Sequence, residues 1–200
     1  VGMAYANRIQ LWSDGFYRTP KIHYDKTTLS GRPFYYFAYG VACSEVAIDT
    51  LTGENKVLQV DILYDAGNSI NPAIDYGQVA GGFVQSMGWL TTEELVWNHK
   101  GSLSTHAPST YKIPTLGDIP ADFKIDFWHE ANPEDNVFGS KAVGEPPIML
   151  AISIYEALRD ALQSAKKASL IPNQMNTDEP IQLRTPATPE NILKSLGQLK

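Results

Sequence analysis

The stretch that most constrains how this chain can fold is Gly139-Ser140-Lys141-Ala142-Val143-Gly144-Glu145-Pro146-Pro147. Small residues and two glycines lead to a carboxylate, and a proline pair follows directly. From Ile148 to Leu162 an apolar run then takes the spacing of a buried helix. A residue before proline is driven toward extended backbone, whereas proline fits a first helical turn because it has no N–H to lose there. Glu145 is therefore expected at the end of a loop and at the mouth of a helix, near the positive end of its dipole. A carboxylate in that place commonly caps the helix, contributing about 1 kcal/mol. Held against glycines and an apolar helix, it would instead be poorly hydrated, and a desolvated carboxylate is a candidate general base or acid. Spacing alone leaves both readings open.

Composition narrows the rest. Two hundred residues can bury a sizeable core, as one domain or two small lobes. The net charge of −6, with no basic cluster longer than Lys166-Lys167, argues against a nucleic-acid partner. No uncharged apolar run reaches membrane-spanning length, and no charged-then-apolar leader opens the chain. Lone Cys43 cannot make an internal disulfide, which agrees with a reducing, cytoplasmic setting. Val1-Gly2-Met3-Ala4 already reads as apolar helix, so the chain is expected to be a piece of something longer.

The order of elements reads as α+β. Val1 to Trp12 is expected to be the tail of a helix, and Ser13 to Pro33 an irregular arm punctuated by Gly15, Pro20, Gly31 and Pro33. Phe34–Asp49 and Lys56–Asp65 are rich in aromatic and β-branched residues and flank the turn Leu51-Thr52-Gly53-Glu54, which predicts a β-hairpin. Turn-formers from Asp65 to Asn71 lead into a helix predicted from Pro72 to Leu95. That oxygen-rich loop lacks the alternating ligands of a calcium loop. Phe123 to His129 alternates as a half-buried strand after a turn-rich region, Val96 to Asp122. In the helix after the prolines the inner stripe is expected to be Ile148, Ile152, Tyr155, Leu158, Leu162 and Ala165. Residues 168–200 form an extended tail to a core of about 15–167, with Thr188-Pro189-Glu190 starting a short helix.

The predicted long helix contains Gly77, Gly81, Gly82 and Gly88, each costing about 1 kcal/mol relative to alanine. Close helix packing accounts for such glycines. So does a large cofactor lying on a small-residue face, with Gln78 offering both donor and acceptor. Neither a G-x-G-x-x-G fingerprint nor a P-loop nor a G-x-S-x-G elbow is present. His23, His99, His106 and His129 fall at no metal-ligand spacing, so no protein metal ligand is assigned.

Taken together, several motifs strongly resemble the xanthine dehydrogenase/xanthine oxidase family of molybdenum hydroxylases. They are Phe16-Tyr17-Arg18-Thr19-Pro20, Tyr39 to Val46, Leu51-Thr52-Gly53, Asn71 to Asp75, Gly77-Gln78-Val79, Pro108 to Pro114 and Lys141 to Pro147. They run in order from about Gly15 to Ile192 and place the chain in the C-terminal part of the molybdopterin-binding region. The resemblance implies an antiparallel sheet packed with two long helices, as in that family's molybdopterin-binding domain. It implies that Glu145 is the active-site base and that Gln78 hydrogen-bonds around the molybdenum centre. Val143 and Gly144 would line the cofactor through their backbones. It further implies xanthine or hypoxanthine as substrate, molybdenum-molybdopterin shared with an upstream part, and 2Fe-2S clusters, FAD and NAD on other domains or subunits, in a homodimeric complex. An aldehyde oxidase-type relative and a non-catalytic assembly or dimerisation lobe are the alternatives. His106-Ala107 departs from the Arg-Gly more usual in the family, and the isolated fragment is expected to be inactive.

Overall fold

A computed structural model describes residues 1–168 and 180–198. The chain divides into two units, Val1–Phe37 and Ala38–Lys200. In the first, helix α1 (Gly2–Ala6) stops well short of the predicted Trp12. The expected irregular arm contains a small antiparallel hairpin, β1 (His23–Asp25) and β2 (Ser30–Arg32). Asp25 Oδ1 accepts the Thr27 N–H at 2.7 Å and so closes the turn. Strands this short carry too few residues to show alternation in sequence.

The second unit holds the core. Strands β3 (Gly40–Ile48) and β4 (Asn55–Tyr64) form the predicted hairpin, with Gly40 opposite Tyr64 and Ile48 opposite Asn55. The register shifts between Glu45 and Val46, leaving Leu58 without a partner across the ladder. One extra residue flips the pleat, so Val57 and Val60 both face inward although three positions apart. Strand β5 (Asp122–Phe127) then pairs with β4 in parallel, Gln59 opposite Asp122. The expected antiparallel hairpin is thus extended by a parallel third strand, and the sheet is mixed. A parallel neighbour requires a long crossover, and helix α2 (Pro72–Thr91) begins it.

Asn71 caps α2, accepting the Ile74 N–H at 3.4 Å, with Pro72 in the first turn as the sequence predicts. The helix ends at Thr91 rather than Leu95, where the Thr92 and Glu93 N–H groups both turn back to the Gly88 carbonyl. A 3-10 turn, Pro146–Ala151, runs directly into helix α3 (Ile152–Lys167). Leu158, Leu162 and Ala165 are buried as predicted and Tyr155 is half-buried against the core, but the stripe begins with Ala151 and Ile154 rather than Ile148 and Ile152, and Ile152 is exposed. The start of this segment is apolar on every side, so only its amphipathic second half fixes the phase. Helix α2 meets the sheet through Phe83 and Phe123, whose ring centroids lie 5.5 Å apart. Residues 180–198 also enter the core: Ile181, Leu183, Ala187, Ile192 and Leu196 are buried. Helix α4 (Pro189–Ser195) is capped by Thr188 as predicted. The remainder of the predicted tail, residues 169–179, lies outside the described residues.

The α2 glycines divide into two kinds. A Cβ at Gly82 would come within 3.2 Å of Pro147, and one at Gly88 would press into the Glu93 carboxylate and the Pro114 ring. Gly77 and Gly81 face open space. Gly88→Ala is therefore expected to destabilise the chain by about 1–3 kcal/mol through overpacking. Gly81→Ala should be neutral or stabilising by up to about 1 kcal/mol, since only helix propensity changes. Urea midpoints of the two variants measure the difference.

Candidate functional site

The loop carrying Glu145 is fixed to the loop that follows β4. Gly67 and Ser140 form an isolated antiparallel bridge. The Asn68 N–H donates to the Gly139 carbonyl (3.0 Å), and the Lys141 N–H to the Ala66 carbonyl (2.7 Å). Gly67 has φ +60, and a Cβ there would collide with the Gly139 carbonyl, so this approach requires glycine. From the other side the Asn132 N–H donates to the Gly139 carbonyl at 2.7 Å, and the Asn132 and Asn136 side-chain amides donate to the Ser140 carbonyl. The Tyr64 hydroxyl donates to the Ala142 carbonyl at 2.6 Å. Beneath this network the Lys141 ammonium pairs with the Asp65 carboxylate. Their side chains are only 7% and 13% exposed.

Glu145 follows four residues after Lys141. It does begin a helical segment, as the N-cap of the 3-10 turn, yet three details differ from expectation. Its backbone is helical (φ −106, ψ −37) rather than extended, and its carbonyl accepts the Ile148 N–H at 3.1 Å. That bond and the burial of Pro147 offset the steric preference a following proline imposes. The side chain does not cap the helix. It is also exposed, without a hydrogen bond or ion pair among the described residues. The poorly hydrated setting expected for it is not supplied by this chain. Val143 is half-buried against the core, and Gly144 is open, with nothing within 4 Å of a Cβ built on it.

Helix α2 carries the second part of the site. Its contact with the 3-10 turn is made at Gly82, against Pro147 and Ile148. Gln78 lies one helical turn before Gly82, is exposed, and stands between the open Gly77 and Gly81. The elements bearing Gln78 and Glu145 therefore pack on one another, and both residues face outward. At the far end of α2 the Pro108–Pro114 motif is tied down. The Thr92 hydroxyl donates to the Lys112 carbonyl at 2.7 Å, and the Tyr111 hydroxyl is hydrogen-bonded to the buried Glu93 carboxylate. His106 Nδ1 lies 3.1 Å from the Leu103 carbonyl within its own loop.

Sequence reasoning singled out Glu145 and Gln78 but missed what holds their elements: Asp65, Tyr64, Asn132, Asn136 and Glu93. The signal was partial. Asp65 and Asn132 sit in loops rich in turn-formers, but a pairing between Asp65 and Lys141 across 76 residues has no local signature.

This arrangement defines a lobe with an open glycine face on α2 and an exposed carboxylate on an anchored loop. The molybdopterin cofactor-binding domain family matches residues 1–120. Over 192 residues, 96% of this chain, the sequence is 50% identical to the xanthine dehydrogenase/oxidase of Felis catus, and over 189 residues it is 41% identical to aldehyde oxidase 1 of Bos taurus. The chain spans 14% of the length of each. Among solved structures, the aldehyde oxidoreductase of Desulfovibrio gigas superposes with a TM-score of 0.69 at 28% identity, covering 88% of this chain and 17% of that one. The chain belongs to the molybdopterin cofactor-binding domain family, and its xanthine dehydrogenase resemblance extends over most of its length. The residues present fit such a cofactor: the Gly77 and Gly81 positions leave space that no described atom fills, and the Gln78 side chain lies exposed beside them. No helix among the described residues is long and apolar enough to cross a membrane.

The Glu93 hydrogen bond raises the Tyr111 phenol above its ordinary value of 10.0. Because the folded value is the higher one, the contribution of this contact is complete below the unfolded value and disappears as pH rises through the folded one. A spectroscopic titration should show Tyr111 ionising above the ordinary phenol value of 10.0. Glu93→Gln should return it toward that value.

Proposed function

We propose that this chain is the part of a molybdenum hydroxylase that supplies the general base, Glu145, for hydroxylating xanthine or hypoxanthine. The observation carrying this reading is the placement of the carboxylate. It is exposed and unpartnered among the described residues, yet stands between two fixed points, Lys141 and Pro147, next to the element bearing Gln78. When bound, the molybdenum–molybdopterin group supplies the oxidising centre. The chain supplies positioning and a proton acceptor. Gln78 holds the group through an amide that both donates and accepts. Val143 roots its side chain in the core, leaving the 143–144 backbone as the contacting surface. Glu145 takes up a proton on a carboxylate oxygen as the substrate carbon is attacked, a role that contributes about 10²–10⁴-fold to rate.

The higher identity to the cat xanthine dehydrogenase/oxidase than to the bovine aldehyde oxidase supports a purine over an aldehyde. On this reading the upstream part of the molybdopterin domain completes the site. Electrons leave to 2Fe-2S clusters and FAD on other domains or subunits, and then to NAD, within a cytoplasmic homodimer. A second reading, a non-catalytic assembly lobe, is favoured by exposed apolar side chains such as Ile74, Trp89, Met149 and Ile152. Under it, Gln78 and Glu145 would be replaceable without loss of activity.

Glu145→Ala in the complete enzyme separates these readings. Turnover is expected to fall about 10²–10⁴-fold with molybdenum content retained, and undiminished turnover would exclude the base role. The isolated 200-residue chain is expected to fold but to hold no stoichiometric molybdenum and to turn over no xanthine.

A further inference from the structure

The Lys141–Asp65 pair does more than the loop requires for anchorage. The bridge at Gly67 and Ser140, the Lys141 N–H bond to Ala66 and the Tyr64 bond to Ala142 already fasten residues 139–142 through backbone groups. A buried ion pair is a weak source of net stability, since its desolvation offsets much of the attraction. What it does provide is one allowed separation. The ammonium also lies 5.4 Å from the Tyr39 ring centroid, while Asp65 Oδ1 accepts the Gly67 N–H at 3.0 Å and the Asp65 N–H donates to the Tyr39 carbonyl at 2.8 Å. Both partners are thus oriented before they meet. The span from Lys141 to the buried Pro147 is short, and Glu145 lies within it.

We propose that the Lys141–Asp65 ion pair is a positioning device for Glu145, setting where the 141–147 span places its carboxylate. This rests on the reading of Glu145 as the base. Neither Lys141 nor Asp65 touches the reacting atoms on this account; they act through the backbone between Lys141 and Glu145. Displacing a reacting group by about 1 Å lowers rate on the order of 10²-fold, so a side-chain length change at the pair should register in turnover.

The test uses the complete enzyme with Lys141→Arg and, separately, Asp65→Glu. Both keep the charges, so no buried ion is orphaned, but each alters the separation. The expected result is a fall in kcat of about 10–100-fold, with KM, molybdenum content and melting temperature unchanged. Amide hydrogen exchange across residues 139–145 should quicken. In a Glu145→Gln background the same substitutions should lower kcat no further, because they act through the side chain already removed. The proposal is overturned by unchanged kcat or unchanged exchange in both variants. A further additive loss in the Glu145→Gln background, or loss of molybdenum or of thermal stability in both variants, also overturns it by marking a merely structural role. If Glu145→Gln alone leaves turnover at the wild-type level, the base reading itself falls and takes this inference with it. If Glu145→Gln slows the enzyme and the pair variants do not, only the positioning role is lost.

Discussion

An irregular loop can hold a reactive group in place only if its own peptide groups find partners, because it has no ladder or helix to satisfy them. Here that constraint is met by pairing two loops with each other. Residues 65–68 leave the end of β4, and residues 128–140 leave the end of its parallel neighbour β5. The Trp128 N–H still donates to the Tyr64 carbonyl at 2.9 Å, so the two loops emerge side by side. They then exchange the Gly67–Ser140 bridge and the Asn68 and Lys141 backbone bonds, with the Lys141–Asp65 pair below. The carboxyl ends of adjacent parallel strands are where open sheets gather ligand-binding loops. The parallel pairing of β5 is therefore what brings the Glu145 loop to its holder.

That pairing was also the least legible part of the sequence. The β3–β4 hairpin could be read because its two apolar runs are long and its turn is short and glycine-containing. The Asn71-Pro72 cap of α2 could be read because capping is local chemistry. Strand β5 announced itself by alternation, but alternation says which face is buried and nothing about the partner or its direction. The choice between parallel and antiparallel was made by the crossover from α2 through residue 121, whose turns concealed its role. The start of the α3 stripe was misplaced for a related reason: where Ile148 to Tyr155 offers apolar residues on all sides, period carries no direction, whereas Leu158, Leu162 and Ala165 were legible. Of the candidate site, Glu145 and Gln78 could be singled out from the sequence, and the residues that hold their elements could not. Lys141 was visible within its motif, whereas Asp65 acquires meaning only once the chain brings the two together.

The glycines of α2 show how one sequence pattern can serve two physical ends. Gly82 and Gly88 are small because protein atoms occupy the space, from Pro147 in one case and from Glu93 and Pro114 in the other. Gly77 and Gly81 are small with nothing among the described residues against them, so their propensity cost is not offset by packing within this chain. Close packing within the chain thus accounts for Gly82 and Gly88, and the proposed cofactor surface would account for Gly77 and Gly81. The boundary between them falls where α2 meets the 3-10 turn, so packing within the chain ends where the proposed cofactor surface begins.

The exposure of Glu145 bears on how such a site would be shared. Burial is the usual means by which a carboxylate is made an effective base in a low-dielectric setting, and in this chain the side chain is not buried. What the chain does contribute is rigidity: a clamped backbone on one side and buried Pro147 on the other. On the proposed reading, geometry and environment come from different pieces. This lobe fixes where the carboxylate points, and the surface that closes over Gly77, Gly81 and Gly144 removes water from around it. A carboxylate buried within one lobe would incur its desolvation cost in the folding of that lobe. One buried only on assembly incurs that cost where cofactor and substrate can offset it. On that reading, the division accounts for an exposed side chain standing on a loop tied by many hydrogen bonds.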